Sequence, residues 1–428
     1  MIFADGAAAR THLDTLDSEA RRAVVAEIAR AMRDEYVEPD AGVRAAESIQ
    51  QALASGAYDS FQQPGAFASR LTDDLFGIVQ DKHLKVIAWV GPVPAGAWAV
   101  RAAVNDFGVV RADRLVGNVG YLEVCGFVRS AKARAPLDRA MAALADTRGL
   151  IIDLRRHGGG SRHGVAYLLS FFLDCATPVP VSELLWREPG TTGYRSESTF
   201  TCRTPTSYLG KPVYILTSAR TVSGGEMFSY DMRAMQLATL VGETTRGGAN
   251  PPRPGPMLQV GTGIALALPC GKARSPITGG NWERVGVAPD IAVASEAALK
   301  VALEKLGEAP LAIGIGDLSQ ASLFQVRAAP LPGSEVALRH LIAGMAAGQP
   351  DYEQMTSAFA GAVRNELAAA RATLAALGVM KSATFVGPEM SGDRFEVRFA
   401  NGVQIGSLFL SPKGKVALSF FRPITAVS

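Results

Sequence analysis

Between residues 117 and 242 the sequence alternates short apolar runs with longer amphipathic segments, and this rhythm restricts the fold more than any other feature. Short runs rich in Val, Ile and Leu are typical of buried strands, whereas apolar residues three or four positions apart are typical of helices. The successive segments are 117–124, 136–146, 149–154, 163–173, 212–217, 224–236 and 238–241. Strand and helix in alternation predict βαβ units, so the predicted fold class is α/β with helices packed on a largely parallel sheet.

The first 80 residues have a different pattern, with apolar residues at helical spacing and few strand-like runs. We expect helices that begin at Ser18 and that span 42–54 and 64–79, with Asp17 or Ser18 as the cap of the first. This region predicts a small N-terminal helical bundle over residues 1–80, followed by an α/β core over 81–306.

The tail, residues 318–428, differs once more, because helices come first and strands follow. Helical patterns cover 334–347 and 352–377, and the strand-like runs are 383–386, 394–400, 403–410 and 415–421. Asn401-Gly402 is a hairpin-turn signal between two of these runs. We expect a separate α+β domain with an accessory role, in substrate gating or dimerisation.

Composition narrows the class of protein. Of 428 residues 48% are apolar, and 43 Lys and Arg oppose 40 Asp and Glu, a balance typical of a globular protein and too even for a nucleic-acid partner. The sequence lacks an apolar run of about 18 residues, so no membrane span is predicted. Residues 1–5 lack the regions of a signal peptide, so none is expected. The four scattered cysteines predict neither a disulfide scaffold nor a metal site.

Ser223 is the strongest candidate nucleophile. It follows the apolar run that ends at Thr217 and immediately precedes a helix whose first residues are Gly224 and Gly225. A helix N-terminus offers unpaired N–H groups that can stabilise an oxyanion, although an ordinary N-cap serine would occupy the same position. Glu226 fits a capping box that reaches back to Ser223 N–H, or else an acid that faces the crevice.

Glycines follow another predicted strand. The sequence Asp153-Leu154-Arg155-Arg156-His157 leads into Gly158, Gly159 and Gly160, at the strand end where ligand sites of α/β proteins form. A phosphate loop is excluded because no Lys-Ser or Lys-Thr follows. The glycines predict either backbone N–H groups that face a ligand or simply a tight turn.

A general base and an orienting acid are also present as candidates. His83 lies where the helical region meets the first strand-like run, and histidine is the usual base near neutral pH. Glu283 lies in a loop before a late strand and could orient and stabilise an imidazolium. Considered separately, His83 could be an ordinary exposed histidine in a loop and Glu283 an ordinary acid on the surface.

Together these segments resemble one family. Asp153-Leu154-Arg155 with its glycines, Thr221-x-Ser223-x-x-Glu226, the run Val241–Gly248 and Gly286-Val287-x-Pro289-Asp290 occur in the order found in the C-terminal-processing peptidase superfamily, serine peptidase family 41, which includes the tricorn core. The helical start and Asp81-Lys82-His83-Leu84 resemble the branch of the interphotoreceptor retinoid-binding protein repeats, which lacks a PDZ insertion. The resemblance covers residues 12–305 and implies a crotonase-like core.

The resemblance also implies a catalytic set. The processing peptidases use a lysine after the serine, but Arg246 occupies that stretch here, and arginine cannot act as a base. The tricorn-like alternative uses a histidine and a late glutamate, which correspond to His83 and Glu283. Tricorn has a serine just before the histidine, whereas this sequence has Lys82, so the relay could be direct, could involve Asp81, or could be weakened.

The implied function is a serine peptidase that acts on a peptide or protein without a cofactor. Ser223 attacks the carbonyl, His83 takes the proton, Glu283 holds the imidazole, and N–H groups of Gly224 and of Gly158 or Gly159 hold the oxyanion. Two alternatives stay open: a non-catalytic binding module for apolar ligands or peptides, and an acyl hydrolase for a small molecule. A homo-oligomer also stays open. Such relatives are often exported, which favours an extracytoplasmic location, and the tail resembles the nuclear-transport-factor-like fold.

Overall fold

The computed structural model describes residues 16–88, 106–115, 117–253, 255, 257–261, 263–307, 329–389, 392–411 and 414–423. Residues 1–15 of the predicted bundle and residues 318–328 of the predicted tail domain lie outside these ranges. The helices are α1 (Ser18–Glu35), α2 (Pro39–Ala54), α3 (Pro64–Val79), α4 (Arg134–Leu144), α5 (Arg162–Leu169), α6 (Gly224–Ala234), α7 (Ala298–Lys305), α8 (Ser334–Ala347) and α9 (Ser357–Leu377).

The strands form four separate sheets. In chain order they are β1 (Lys85–Ala88), β2 (Val109–Leu115), β3 (Val119–Val124), β4 (Gly149–Asp153), β5 (Pro180–Arg187), β6 (Tyr194–Phe200), β7 (Val213–Thr217), β8 (Thr239–Gly242), β9 (Leu258–Gly261), β10 (Ile264–Ala267), β11 (Gly271–Arg274), β12 (Ile291–Ala292), β13 (Met380–Glu389), β14 (Gly392–Phe399), β15 (Gly402–Leu410) and β16 (Val416–Pro423).

The first three helices begin where the sequence supplies their caps. Asp17 accepts a hydrogen bond from Ala20 N–H at 2.7 Å, as predicted for the start of α1. Proline opens both α2 and α3, where its missing N–H leaves no helical bond unmade. This places the start of α2 at Pro39 rather than at the predicted residue 42.

The helices share their core with a small antiparallel sheet in the order β1-β10-β9. Val86, Ile264 and Leu266 are buried in the same apolar cluster as the inner faces of α1, α2 and α3. The segment that carries His83 therefore lies between α3 and β1. Strand β1 in turn pairs with β10, about 180 residues later in the chain. The sequence did not predict this pairing.

The central sheet has the strand order β12-β8-β7-β4-β3-β2. All neighbours are parallel except β2 and β3, which confirms the predicted largely parallel sheet. Helices α4, α5 and α6 cover one face and α7 covers the other. Because β4 and β7 are adjacent and parallel, the turns that follow Asp153 and Thr217 meet at one edge of the sheet.

A third sheet, in the order β11-β5-β6, was not predicted. Strand β6, Tyr194–Phe200, is polar except for its two ends and contains no apolar run. Most of its residues are exposed or half-buried. Leu184 and Trp186 of β5 and Glu197 of β6 border the cleft described below. The sheet therefore contributes to the site although its sequence signal is weak.

The tail folds as two helices and an antiparallel meander in the order β13-β14-β15-β16, as the pattern of helices followed by strands predicted. Its apolar cluster includes Leu338, Phe359, Val363, Phe395 and Leu408. The second helix begins at Ser357 rather than at 352, because Thr356 caps it and residues 352–354 form a separate turn. None of the helices in the described ranges is long and apolar enough to cross a membrane.

Candidate active site

Ser223 occupies a strained turn between β7 and α6. Its backbone has φ 57° and ψ −115°, a conformation that non-glycine residues rarely adopt and that clusters at functional sites. Two side chains tie this turn to the end of β4: Ser218 donates to Arg155 C=O at 2.7 Å and Thr221 donates to Leu154 C=O at 2.8 Å. These buried hydrogen bonds hold the turn that contains Ser223 against the end of β4.

Glu226 fixes the same turn from the other side. Its carboxylate is fully buried and accepts from Ser223 N–H at 2.7 Å, from the Thr245 hydroxyl at 2.6 Å, and from Gly247 and Gly248 N–H at 2.5 and 2.9 Å. Burial raises the pKa of Glu226, and these hydrogen bonds oppose the rise. The geometry favours the capping-box interpretation over an acid that faces the crevice.

His83 borders the same cleft as Ser223. Its backbone N–H donates to Asp81 at 3.0 Å, and its ring lies so close to Gly248 that a Cβ there would sit 2.9 Å from Cε1. Burial lowers the pKa of His83, the charge of Asp81 opposes this shift, and the charges of Arg246 and Lys85 add to it. The ring is therefore neutral near pH 7, as a general base requires.

Asp81 anchors the segment that carries His83. Besides the His83 N–H, its buried carboxylate accepts from the Tyr36 hydroxyl at 3.1 Å and from the Asn250 side-chain amide at 3.0 Å. Burial raises the pKa of Asp81, and these donors oppose the rise. Asp81 thus links α1, the His83 segment and the loop after Gly248.

Glu283 lies beside the same loop. Its Oε2 accepts from Ala249 N–H at 2.5 Å and from Asn250 N–H at 3.0 Å, while its Oε1 is buried and makes no hydrogen bond to the described residues. His83 Nδ1 is also buried without a partner in that part of the chain. Burial and the charge of Asp81 raise the pKa of Glu283 to about 7.

Lys82 does not bridge His83 and Glu283. Its ammonium group donates to the carbonyl of Arg246 and lies 3.5 Å from that of Arg284. It therefore ties the His83 segment to the two loops that carry residues 246–250 and Glu283.

The glycine turn corrects one prediction. Gly158 N–H donates to Cys125 C=O at 2.8 Å and Gly159 N–H donates to His157 Nδ1 at 3.0 Å, so neither N–H faces the cleft. Gly160 borders the cleft with Gly224, and a Cβ on Gly224 would lie 3.1 Å from Gly160 N. Gly160 has φ 128°, which glycine adopts without strain. Of the three glycines, Gly160 is therefore the one that lies beside Gly224 at the cleft.

His157 is a residue to which the sequence assigned no role. It is fully buried, its ring packs against Phe127 at 4.6 Å between centroids, and burial lowers its pKa to about 3. Because its Nδ1 accepts from Gly159 N–H, it fixes the peptide group between Gly158 and Gly159. This bond joins residues only two positions apart, so it is a local feature of the glycine turn.

The cleft around Ser223 and His83 has a volume of about 450 Å³. Its lining contains both apolar and charged side chains and comprises His83, Phe127, Arg129, Gly160, Ser161, Arg162, His163, Leu184, Trp186, Glu197, Ser223, Gly224, Met227, Gly248, Ala249, Pro251 and Trp282. Within the described ranges, no group of three or more His, Cys, Asp and Glu is placed to hold a metal ion. The arrangement suits acyl chemistry at a serine.

Comparison with known families matches two consecutive parts of the chain. Residues 118–293 match the model of peptidase family S41, and residues 14–99 match the N-terminal domain of peptidase S41 in eukaryotic IRBP, the interphotoreceptor retinoid-binding protein. The first match contains Ser223, Glu226 and Glu283, and the second contains Asp81 and His83. Both parts of the site therefore fall within the matched regions.

Several solved structures align with parts of this chain. A putative peptidase from Parabacteroides merdae aligns over 67% of this chain and 96% of its own at 18% identity and a TM-score of 0.50. A lipoprotein from Streptococcus agalactiae aligns over 70% and 99% at 15% identity and a TM-score of 0.45. The photosystem II D1 C-terminal processing protease aligns over 42% of this chain and 43% of its own, at 19% identity and a TM-score of 0.34.

Proposed function

Because this chain belongs to the serine peptidases of family S41, we propose that it hydrolyses peptide bonds with Ser223 as nucleophile and His83 as general base. The observation that carries this proposal is that Ser223, in its strained turn, and His83, with a neutral ring, border one cleft. A serine hydroxyl needs an adjacent base because it is a weak nucleophile at its own pKa.

The proposed reaction proceeds in two halves. Ser223 Oγ attacks the substrate carbonyl while its proton passes to His83 Nε2, and the N–H groups of Gly224 and Gly160 stabilise the oxyanion that forms. His83 then gives this proton to the leaving amine as the C–N bond breaks, which leaves an acyl group on Ser223. Water, deprotonated by His83, attacks the acyl carbonyl and releases the carboxylic acid and the Ser223 hydroxyl.

Glu283 is the acid that we assign to His83. His83 Nδ1 and Glu283 Oε1 are both buried without a partner among the described residues, and both lie beside residues 248–250. A hydrogen bond between them, direct or through one water, would satisfy both atoms and leave Nε2 free for the Ser223 proton. Asp81 supports this arrangement as a buried anchor and as a negative charge near the imidazole.

The proposed domains are a helical bundle over 1–80, a crotonase-like core over 81–306 and a nuclear-transport-factor-like α+β domain over 318–428. The bundle would carry His83 to the core, since α3 ends just before it. The tail has an apolar cluster of its own, which supports an accessory role separate from the chemistry.

A fluorophosphonate probe tests the nucleophile, because it forms a covalent bond only with an activated serine. We expect one adduct per chain, mapped by mass spectrometry to the peptide that contains Ser223 and absent from Ser223→Ala. An adduct on Ser161, which borders the same cleft, would contradict the assignment. A peptide-library digest then separates a peptidase from a small-molecule acyl hydrolase, and an unlabelled protein that still binds peptides would be a binding module.

A further inference from the structure

One side of the cleft carries more positive than negative charge. Arg129, Arg162 and His163 border it there, and Glu197 is the one acidic side chain among its described lining residues. Arg162 and Glu197 form an ion pair, so Arg129 remains as an unbalanced charge. No carboxylate in the described ranges pairs with Arg129, which is exposed.

Arg162 is held rigidly and still has a donor to offer. Its Nη2 donates to Glu197 Oε1, while Trp186 Nε1 donates to Glu197 Oε2 at 2.9 Å, so Glu197 is fixed from two sides. The side chain of Arg162 is only 13% exposed, and its Nε is buried without a hydrogen-bond partner in the described part of the chain. A buried donor without a partner is costly, which favours an acceptor supplied by a ligand.

His163 adds no charge near neutral pH. Partial burial and the positive charges of Arg162 and Arg129 lower its pKa below the usual value. His163 borders the cleft together with both arginines, and its neutral ring remains able to donate or accept a hydrogen bond. The edge formed by Arg129, Arg162 and His163, here called the cationic edge, thus carries a net positive charge.

The cationic edge lies close to the scissile bond in the proposed reaction. Arg162 follows Gly160 by two residues, so their Cα atoms are at most about 7.6 Å apart. Apolar side chains line the same cleft, among them Phe127, Met227 and Trp282. A peptide bound there would meet apolar surface and positive charge within a few of its own residues.

We propose that the cationic edge binds a carboxylate of the peptide substrate, within a few residues of the scissile bond and next to an apolar side chain. The carboxylate could be an Asp or Glu side chain or a free C-terminus, because guanidinium groups recognise both in the same way. Carboxylate binding itself does not need Ser223, but its use in selecting substrates rests on the proposed function.

The test uses the full chain with Ser223→Ala, so that binding is measured without cleavage. The peptides are hexapeptides with blocked ends and one Leu. At each of the other positions in turn, one peptide carries Glu and its matched partner carries Gln. Calorimetry gives the Kd of both members of each pair. A second pair compares the all-Gln peptide with a free and an amidated C-terminus. We expect about tenfold tighter binding of the carboxylate-bearing peptide in one of these arms, as a charge-assisted hydrogen bond typically gives.

The variants locate the effect. Arg129→Gln should bring the Kd ratio close to one, and because Arg129 is exposed and unpaired the fold should be unaffected. Arg195→Gln removes the same charge from an exposed position on β6 that does not border the cleft, and it should leave the ratio unchanged. Arg129→Glu should reverse the preference in favour of a peptide with Lys.

Three results would overturn carboxylate binding: equal Kd values within every pair, no binding of any peptide, or a preference that survives both Arg129→Gln and Arg162→Gln. A carboxylate preference in a protein whose Ser223 never reacts with a fluorophosphonate would instead contradict the proposed function alone. Reaction at Ser223 without a carboxylate preference would contradict only the inference about the cationic edge.

Discussion

The backbone N–H of Ser223 donates to the buried carboxylate of Glu226 at 2.7 Å, and that carboxylate also accepts from the loop that packs against His83. One side chain therefore sets the position of the proposed nucleophile and of the loop beside its base. Both glutamates of the site hold backbone N–H groups, and only Glu283 keeps a buried oxygen without a partner among the described residues, which is the atom that we propose for the imidazole.

Glu226→Gln should destabilise the protein and slow the reaction of Ser223. Each oxygen of Glu226 accepts two hydrogen bonds, so the amide group of Gln would face two donors without an acceptor. We expect the free energy of unfolding to fall by about 2 kcal/mol and labelling to slow at least tenfold. Denaturant titration and labelling rates measure the two effects, and an unchanged free energy of unfolding would contradict this reading of the contacts.

Glu283→Gln should have the opposite profile. A Gln oxygen can accept the same hydrogen bonds from Ala249 and Asn250 N–H, so stability should change little. Its amide group would replace the unpartnered Oε1 and donate to His83 Nδ1, which favours the wrong tautomer. We expect the labelling rate to fall by roughly 10³-fold or more, and equal losses in the Gln variants of Glu226 and Glu283 would undo the separation of their roles.

The sequence predicted the central sheet because its strands are compact apolar runs separated by amphipathic helices. It could not tell which of Gly158, Gly159 and Gly160 offers an N–H to the cleft, since the three look alike and only the bonds to Cys125 and His157 distinguish them. The sequence also did not predict β6, because that strand is mostly polar. Nor did it predict that Lys82 donates to the carbonyl of Arg246. Most of the unpredicted parts depend on partners that are distant in the sequence, and the bond from Gly159 to His157 depends on a local side-chain direction that the sequence does not fix.

The pH profile should reflect Glu283. Its pKa of about 7 in the folded protein lies above the ordinary value of 4.5, so the neutral form is favoured by folding. This contribution to stability is fully present below about 4.5 and is lost as the pH rises through 7. Activity needs the charged form and should rise over the same range. Glu283→Gln should reduce both slopes without removing them, because Asp81, Glu226 and His83 also have shifted pKa values. A wild-type profile that is flat between pH 5.5 and about 8 would contradict the assignment.

Gly248→Ala should displace His83. A Cβ at this position would lie 2.9 Å from His83 Cε1 and 3.2 Å from Nδ1, so the ring must move. We expect at least about a tenfold loss of labelling rate with a modest change in melting temperature. Gly77→Ala in α3 is the matched control, because nothing lies within 4 Å of its Cβ and activity should not change. Full activity of Gly248→Ala would show that the ring position is not critical.

Lys82→Met should weaken the attachment of the His83 segment to the loops at Arg246 and Arg284. We expect a slower labelling rate at every pH, and restoration by Lys82→Arg, which keeps a donor for the carbonyl groups. Lys85→Met removes an equal charge near His83 from an exposed position in β1 and should have little effect. If Lys85→Met matched Lys82→Met, the role of Lys82 would be charge rather than attachment.

The most direct test of the central claim is the second-order rate of fluorophosphonate labelling of Ser223 in the wild type, in His83→Ala and in Ser223→Ala. If His83 is the base, His83→Ala should lower that rate by roughly 10³-fold or more, because the two residues act as a unit, while the melting temperature stays close to that of the wild type. The Ser223→Ala protein should not be labelled. A folded His83→Ala protein that is labelled at Ser223 as fast as the wild type would contradict the account.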